Sequence, residues 1–210
     1  MKCSAVIFDY DGTLVDTETL LEKSNESLCR SFGGVYDSVA FRSRVMAHPD
    51  PEYTAGLQEV CRLPGSVDAL IKARLERYRE AELEIGLHPK PGADALIRSL
   101  HDRGIKLAIA TSSRRAWIER DLKKLGWSGI FDAVVDYADV LRGKPAPDIY
   151  LEAARRLTVE PSKCVAIDDS PAGVASAKAA GIRVIGLLDR RYVKHLDADE
   201  VVESLEGLSL

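Results

Sequence analysis

Two aspartates follow directly on a short apolar segment near the start of the chain. The residues of Ala5–Phe8 are all apolar and predict a short buried strand, which Gly12 ends in a turn. Asp9 and Asp11 are two residues apart, so their side chains point the same way on an extended chain. Two carboxylates in one crevice repel each other unless a cation or a proton lies between them. The pattern predicts a site for a hard divalent cation and a phosphate-like substrate; a solvated turn, in which Asp and Gly are common, is the alternative.

Thr111 and Ser112 follow a second strand-like segment, Lys106–Ala110, which is apolar after its first residue. Small hydroxyl side chains and free backbone N–H groups ahead of a helix are typical of a phosphate-binding loop. The same residue types are also common helix N-caps, and both interpretations can hold together. The segment therefore predicts a phosphate cradle, a helix start, or both.

Lys144 lies in a loop with two nearby prolines, Pro145 and Pro147. Proline restricts the backbone, so this lysine is expected to be held more firmly than an ordinary surface lysine. Its ammonium group is predicted to offset the negative charge of a bound phosphoryl group. The alternative is a solvated loop lysine.

Asp168 and Asp169 follow the apolar segment Cys164–Ile167 and precede a helical run. Hard oxygen ligands from two strand ends, with positions left for water and phosphate, suit Mg²⁺. A helix cap by Asp or Ser is the alternative interpretation. Ligands of parallel sheets bind beyond the carboxyl ends of the strands, where the strand order reverses, and all four groups of residues map to that edge.

Strand-like and helical runs alternate over most of the chain. This alternation predicts an α/β fold, a Rossmann-like parallel sheet with helices on both faces. The predicted strands are Ala5–Phe8, Lys106–Ala110, Ala133–Val135, Cys164–Ile167 and Arg183–Leu187. The helices predicted between the later strands are Ala116–Leu125, Asp148–Leu157 and Ala172–Ala180.

The alternation breaks between the first and second strands, where only helical runs occur. These runs are Glu18–Phe32, Val39–Val45, Tyr53–Arg62 and Val67–Ile85. They predict an inserted all-helical cap domain, residues 15–90, and a Rossmann-like core of residues 1–14 and 91–210. Because the insert leaves and re-enters beside the acidic pair, we expect a lid that moves about Val15–Thr17 and His88–Gly92.

Composition narrows the classes of partner. The formal net charge is −4 with both signs interspersed, which argues against nucleic acid as the main partner. No apolar run is long enough to span a bilayer, and the N-terminus lacks a signal-peptide core. Four cysteines without a CxxC pair predict reduced thiols rather than disulfides or a zinc site. A cytoplasmic protein without a membrane partner is the expectation.

The four groups of residues together resemble the motifs of the haloacid dehalogenase superfamily, on its phosphatase and phosphomutase branch with a helical cap. Phe8–Asp16 is similar to the first motif and Thr111 to the second. Lys144, in the sequence Gly-Lys-Pro-Ala-Pro-Asp, matches the third, and Ile167–Ser170 matches the fourth. The resemblance is continuous over the predicted sheet domain and looser in the cap.

This resemblance implies a phosphatase with an aspartyl-phosphate intermediate. Asp9 is implied as the nucleophile and Asp11 as the general acid and base. Thr111 and the N–H of Ser112 are implied to hold phosphoryl oxygens, and Lys144 to reduce repulsion between two anions. The implied substrate is a small phosphorylated metabolite, most often a phosphosugar in this family. The implied ligands of Mg²⁺ are Asp9, the main-chain carbonyl of Asp11, Asp168 and Asp169. In the cap, His48 and Arg74 are candidates for substrate contact, with a solvated role as the alternative.

Beta-phosphoglucomutase is the main alternative, because Lys144–Ile149 strongly resembles its corresponding segment. Those mutases carry a histidine early in the first cap helix, where this chain has Thr19–Leu21. They also have a glycine-containing cap turn followed by an arginine, and Val45–Pro49 has neither. These departures favour hydrolysis over phosphomutation.

Three other classes of protein are compared with the chain at individual residues. Dehalogenases proper lack the second aspartate of the first motif, so Asp11 argues against that reaction. The phosphonate-cleaving branch also departs there and needs a cap lysine, for which Lys72 is the only candidate in a long helix near the site, and nothing in the sequence marks it as desolvated. Receiver-type signalling domains are phosphorylated on an aspartate after a middle strand, a position that Asp136 matches, but they lack an insert such as residues 15–90.

Overall fold

A computed structural model describes the backbone of residues 3–45 and 51–210, and the side chains of 3–41 and 51–210. The chain forms two compact units. The first comprises Met1–Val15 and His88–Leu210, and the second comprises Asp16–Leu87. His48, a predicted substrate contact, lies outside the described residues. No helix of the described part is long and apolar enough to cross a membrane.

The first unit is built on a six-stranded sheet in which all neighbouring strands are parallel. The strands are β1 (Ala5–Phe8), β2 (Lys106–Ala110), β3 (Ala133–Val135), β4 (Cys164–Asp168), β5 (Arg183–Leu187) and β6 (Glu200–Val202). β1 and β4 are buried throughout, as expected for central strands covered on both faces. The predicted α/β fold is confirmed. The sequence missed β6, an edge strand whose residues are mostly exposed.

Eight α-helices are found in the described residues. They are α1 (Thr17–Ser31), α2 (Ser38–Val45), α3 (Glu52–Cys61), α4 (Val67–Ile85), α5 (Ala93–Asp102), α6 (Arg115–Lys124), α7 (Asp148–Leu157) and α8 (Pro171–Ala179). The first four form the second unit and the last four belong to the sheet unit. Each predicted helix is present within one residue at either end.

The strand order places β1 and β4 side by side at the centre of the sheet. The order is β3-β2-β1-β4-β5-β6, so the chain builds outward from β1 in one direction and from β4 in the other. Because crossovers between parallel strands are right-handed, α5 and α6 lie on one face of the sheet and α7 and α8 on the other. The helix layers therefore separate beyond the carboxyl ends of β1 and β4, which is where such sheets bind ligands.

The helical unit has its own core, in which leucine and aromatic side chains predominate. Phe41 packs edge-to-face on Tyr53, with ring centroids 4.9 Å apart. Arg74 is also part of this interior: it is only 5% exposed, and its Nε donates to the Thr54 hydroxyl at 3.2 Å. Its guanidinium lies over the Tyr53 ring. The solvated role weighed for Arg74 is therefore wrong, because packing within the unit removes this side chain from water.

A charged network links α7 to the segment after β3 and predicts acid sensitivity. Partial burial opposes ionisation of Asp139, but a hydrogen bond from Arg156 and the attraction of Arg115 outweigh it and lower the pKa of Asp139 to about 2. Hydrogen bonds from Arg155 and Arg156 likewise lower the pKa of Glu152 to about 2, against a smaller opposing effect of burial. Both carboxyls thus stabilise the fold when ionised, and this contribution is present above their unfolded pKa values of about 4.

We expect the free energy of unfolding to fall by about 1–3 kcal/mol from this network as the pH drops from about 5 to about 2. Denaturant unfolding at several pH values measures it. Arg156→Gln, which removes the shared partner, should lower stability at pH 7 and flatten the acid dependence. An equally steep acid dependence in that variant would contradict the assignment.

Candidate active site

Asp9 extends the pairing of β1 with β4 by one residue before the chain turns. Its N–H donates to the carbonyl of Ile167 at 2.9 Å. A tight loop follows, in which the N–H of Gly12 donates to Val15 and the N–H of Leu14 to Tyr10. Gly12 has φ +78°, and a side chain there would collide with the carboxylate of Asp169. The loop thus brings the first acidic pair against the end of β4 by close backbone approach.

Lys144 is not a solvated loop lysine. Its side chain is 2% exposed, and its ammonium donates to Asp9 Oδ1 at 2.6 Å and to Asp168 Oδ2 at 2.8 Å. Burial alone would lower the pKa of Lys144, but the carboxylates of Asp168 and Asp9 outweigh that effect and raise it. The ammonium is therefore permanently charged and lies between two carboxylates from different strands.

The four hydrogen bonds that Asp168 accepts match the roughly four acceptor positions of a carboxylate. Oδ2 accepts from Lys144 and from the hydroxyl of Tyr150, the latter at 2.6 Å. Oδ1 accepts from the N–H and the hydroxyl of Ser170 at 2.9 and 2.8 Å. The side chain has no exposed surface. Its contacts favour a role in holding Lys144 over direct ligation of a cation.

Asp169 lies on the other side of the first acidic loop. Its Oδ1 accepts a hydrogen bond of 2.8 Å from the hydroxyl of Thr13. Ser170, the next residue, caps α8 by accepting from the N–H of Gly173 at 2.9 Å. The helix-cap interpretation of this segment therefore holds for Ser170, while Asp169 faces the residues that follow β1.

Asp11 is held by hydroxyl groups from the loop after β2. Ser113 donates to Asp11 Oδ2 at 2.6 Å, and Thr111 reaches the same oxygen at 3.4 Å. The N–H of Ser113 donates to the Thr111 hydroxyl at 2.9 Å, which shapes the loop. Ser112 lies half-buried between them. These hydroxyls do not cap α6: its N-cap is Arg114, with no side-chain hydrogen bond. The helix-start interpretation of Thr111 and Ser112 is therefore wrong.

Three carboxylates converge on one point. Asp9, Asp168 and Asp169 each offer an oxygen, and these oxygens lie within 4.8 Å of one another. Asp9 Oδ2 accepts no hydrogen bond within the described residues, in contrast to Oδ1, which Lys144 occupies. Burial raises the pKa of Asp9 to about 8 despite the opposing attraction of Lys144. The site is therefore short of positive charge, and hard oxygen donors of this kind fit Mg²⁺.

Two contributors to this site have side chains that sequence reasoning did not single out. Ser113 belongs to the same hydroxyl-rich segment as Thr111, so composition offered a signal. Tyr150 offered none, because its link to Asp168 exists only in the folded chain. The structure brings together Asp9, Asp11, Thr111, Lys144, Asp168 and Asp169, which come from four different loops.

A family model described as haloacid dehalogenase-like hydrolase matches residues 3–181. The chain belongs to the haloacid dehalogenase-like hydrolases. Its relatives include the phosphorylated carbohydrates phosphatase of Thermotoga maritima, 37% identical over 88% of this chain and 85% of that protein. They also include the bifunctional riboflavin kinase/FMN phosphatase of Arabidopsis thaliana, 34% identical over 99% of this chain. The chain spans 55% of the length of that bifunctional protein.

Among solved structures, this haloacid dehalogenase-like chain is similar to CbbY from Rhodobacter sphaeroides. That structure is of an Asp-to-Asn variant in complex with xylulose-1,5-bisphosphate. The TM-score is 0.82 at 29% identity, over 98% of this chain and 96% of that one. The resemblance stated from the motifs is confirmed. With its phosphatase relatives, the family match makes the chain a phosphoric monoester hydrolase.

Proposed function

We propose that the chain is a Mg²⁺-dependent phosphatase that hydrolyses a small phosphorylated metabolite, a phosphosugar, through an aspartyl-phosphate on Asp9. One observation carries the proposal. The buried carboxylate of Asp9 has one oxygen fixed by Lys144, while the other accepts no hydrogen bond within the described residues. The carboxylates of Asp168 and Asp169 lie beside it. A carboxylate held in this way is suited to attack an electrophile whose negative charge is neutralised nearby.

Two displacement steps follow from the positions of Asp9 and Asp11. In the first, an Asp9 oxygen bonds to phosphorus, the ester P–O bond breaks, and Asp11 gives its proton to the leaving oxygen. In the second, Asp11 takes a proton from water, the water oxygen bonds to phosphorus, and the Asp9–phosphorus bond breaks. Lys144 stays charged throughout and reduces repulsion between the carboxylate and the phosphoryl oxygens.

Mg²⁺ would be held by Asp9, Asp169 and the carbonyl of Asp11, and it would supply charge neutralisation for phosphoryl transfer. We place Asp168 behind Lys144 rather than among the direct ligands, because protein donors use its acceptor positions. Thr111 and the N–H of Ser112 are proposed to bind phosphoryl oxygens.

Ser113 is proposed to orient Asp11 for its two proton transfers. Ser113→Ala removes the 2.6 Å hydrogen bond to Asp11 Oδ2 and leaves only the longer contact with Thr111. We expect kcat to fall by about 10-fold, since general acid–base catalysis contributes about 10²–10⁴-fold and orientation is part of that. Steady-state kinetics with p-nitrophenyl phosphate measure it. Ser31→Ala, which loses a hydrogen bond of 2.7 Å to the Leu28 carbonyl within α1 instead, is the control. Equal kcat in Ser113→Ala and the native protein would contradict this role.

The phosphosugar class is supported by two similar proteins. One relative is named a phosphatase of phosphorylated carbohydrates, and the similar CbbY structure holds a sugar bisphosphate. The Arabidopsis relative is instead named for FMN, which makes FMN the natural competitor. The predicted cap domain, residues 15–90, the substrate contacts of His48 and Arg74 and the cytoplasmic location stay predictions.

The receiver-like alternative is disfavoured, because both carboxylate oxygens of Asp136, its candidate phosphorylation site, accept hydrogen bonds from the backbone. Asp136 Oδ2 accepts from the N–H of Arg115 at 2.8 Å, and Oδ1 accepts from the N–H of Ala138 at 3.2 Å. Both oxygens are thus used as caps, one of them at the start of α6. Asp136 is better explained as a structural residue.

The test is phosphate release from a panel of sugar phosphates, hexitol phosphates, phosphoglycolate and FMN, with Mg²⁺ and without added bisphosphate. We expect release of inorganic phosphate, with the highest kcat/KM for a sugar monophosphate. An isomerised sugar phosphate without free phosphate would instead identify a mutase. A stable phosphoprotein without turnover would overturn the proposal in favour of a signalling domain.

A further inference from the structure

Tyr150 is a buried tyrosine whose hydroxyl and ring both face the charged groups of the site. It lies in the first turn of α7 and has no exposed surface. Its hydroxyl donates to Asp168 Oδ2 at 2.6 Å, and Lys144 Nζ lies 5.2 Å from the centre of its ring. We propose that Tyr150 is a positioning residue that acts through Asp168 to hold the Lys144 ammonium against Asp9. The proposal rests on the function proposed above.

The argument begins with how firmly Asp168 is fixed. One of its oxygens is bound by Ser170, which is itself fixed as the N-cap of α8. Its other oxygen is shared by Lys144 and Tyr150. Donors from α7, α8 and the Lys144 loop therefore fix the carboxylate at both oxygens, so that it cannot rotate without breaking a hydrogen bond. Loss of the Tyr150 hydroxyl would free one acceptor position next to Lys144.

That free position matters because Lys144 is shared between two carboxylates. Its ammonium lies 2.6 Å from Asp9 Oδ1 and 2.8 Å from Asp168 Oδ2. When Asp168 also accepts from Tyr150, its negative charge is partly satisfied and its pull on the ammonium is weaker. Without Tyr150, the carboxylate can turn toward Lys144 and draw the ammonium away from the nucleophile.

The tyrosine stays a donor under all working conditions. Burial and the adjacent charge of Asp168 raise the pKa of Tyr150 well above its usual value. Its ring contributes separately, since the electron-rich face lies within reach of the buried ammonium. Phenylalanine keeps this ring and removes only the hydroxyl, so Tyr150→Phe isolates the link to Asp168.

The first experiment measures Tyr150→Phe with p-nitrophenyl phosphate over a range of Mg²⁺ concentrations. Partners behind directly acting groups typically contribute about 10–100-fold, so we expect kcat to fall by about 10-fold or more. KM and the Mg²⁺ concentration for half-maximal activity should change by less than about 3-fold, because the substrate and the metal keep their contacts. An unchanged kcat would overturn the proposal. The proposal would also be overturned if a higher Mg²⁺ concentration for half-maximal activity accounted for the whole loss of activity, since Tyr150 would then act on metal binding.

Trp127→Phe is the matched control for loss of a buried aromatic hydrogen bond. Trp127 has no exposed surface, and its Nε1 donates to Asp94 at 2.7 Å. It lies in the loop between α6 and β3, and its partner Asp94 belongs to α5 and is not one of the site residues. This variant should lower Tm while leaving kcat within about 2-fold. A similar loss of kcat in both variants would show a general effect of destabilisation and would overturn the proposal.

The second experiment does not depend on turnover. Nuclear magnetic resonance of ¹⁵N-lysine-labelled protein follows hydrogen exchange of the Lys144 ammonium, which burial and hydrogen bonds slow. We expect exchange at least about 5-fold faster in Tyr150→Phe than in the native protein. Equal exchange rates in Tyr150→Phe and the native protein would overturn the proposal, whether or not the native protein hydrolyses a phosphate ester. A lack of turnover in the native protein would by itself overturn only the proposed function.

Discussion

Asp9→Asn is expected to lower kcat for phosphate-ester hydrolysis by about 10⁴-fold or more. An amide is not nucleophilic enough to displace the leaving group, and no second group takes over covalent catalysis once it is lost. The fold should be retained. The buried ammonium of Lys144 keeps Asp168 as its partner, and an amide removes a carboxylate whose pKa burial already raises. The Tm of the metal-free variant should therefore equal or exceed that of the native protein.

Steady-state kinetics together with thermal unfolding test this prediction, and Asp136→Asn is its matched control. Asp136 is also a buried aspartate at the carboxyl end of a strand, but its oxygens cap α6 and the turn after β3. We expect this control to lose about 1–2 kcal/mol of stability and to retain kcat within about 5-fold. Full activity in Asp9→Asn would remove Asp9 as the nucleophile. Loss of activity in Asp136→Asn alone would instead favour Asp136 as the nucleophile.

Removal of divalent cations with EDTA is expected to lower activity by about 10³-fold or more, and added Mg²⁺ should restore it. The reason is the charge of the site. The carboxylates of Asp9, Asp11, Asp168 and Asp169 lie in the site, where the ammonium of Lys144 pairs with those of Asp9 and Asp168. A phosphate dianion brought into this cluster adds further negative charge. Without a cation, both binding and attack are opposed by repulsion.

Two variants separate metal binding from general loss of charge. Asp169→Asn should raise the half-saturating Mg²⁺ concentration by about 10-fold or more, because this carboxylate is a proposed ligand. Asp168→Asn should instead lower kcat with a smaller change in that concentration, because its acceptor positions belong to Lys144, Tyr150 and Ser170. Ca²⁺, which takes longer bonds and more ligands, should compete with Mg²⁺ without supporting full turnover. Activity that persists in EDTA would contradict the metal assignment.

The sheet was predictable because its central strands are short apolar runs that end in polar loops. β1 and β4 are buried on both faces, so β1 is apolar throughout and β4 is apolar as far as Ile167, and their ends are easy to locate. β6 was missed for the opposite reason, since Glu200–Val202 is an exposed edge without an apolar run. No bounds were predicted for α5, which begins directly after Gly92 with φ +83°.

The site was predictable as a set of loops but not as a set of contacts. Strand ends that meet at one edge place Asp9, Lys144 and Asp169 near each other whatever the side-chain conformations. The choice of the carboxylates that bind Lys144 depends on how α7 packs against the sheet. The hydrogen bond from Tyr150 to Asp168 depends on the same packing. No local pattern encodes that packing.

Arg74 illustrates the same limit within the helical unit. Its place in the predicted helix Val67–Ile85 was compatible with a solvated or substrate-facing side chain. Its burial against Tyr53 and Thr54 is set by helices distant in sequence. Long-range packing of this kind cannot be deduced from spacing along one helix.

The central claim is a covalent bond between phosphorus and Asp9, and trapping of that bond tests it most directly. The native protein is mixed with Mg²⁺ and acetyl phosphate, quenched in acid, reduced with borohydride and mapped by peptide mass spectrometry. Reduction converts an aspartyl-phosphate to homoserine, and we predict homoserine at Asp9 in the native protein and none in Asp9→Asn. Homoserine at Asp136 or another aspartate, or turnover with no reducible acyl-phosphate, would contradict the account.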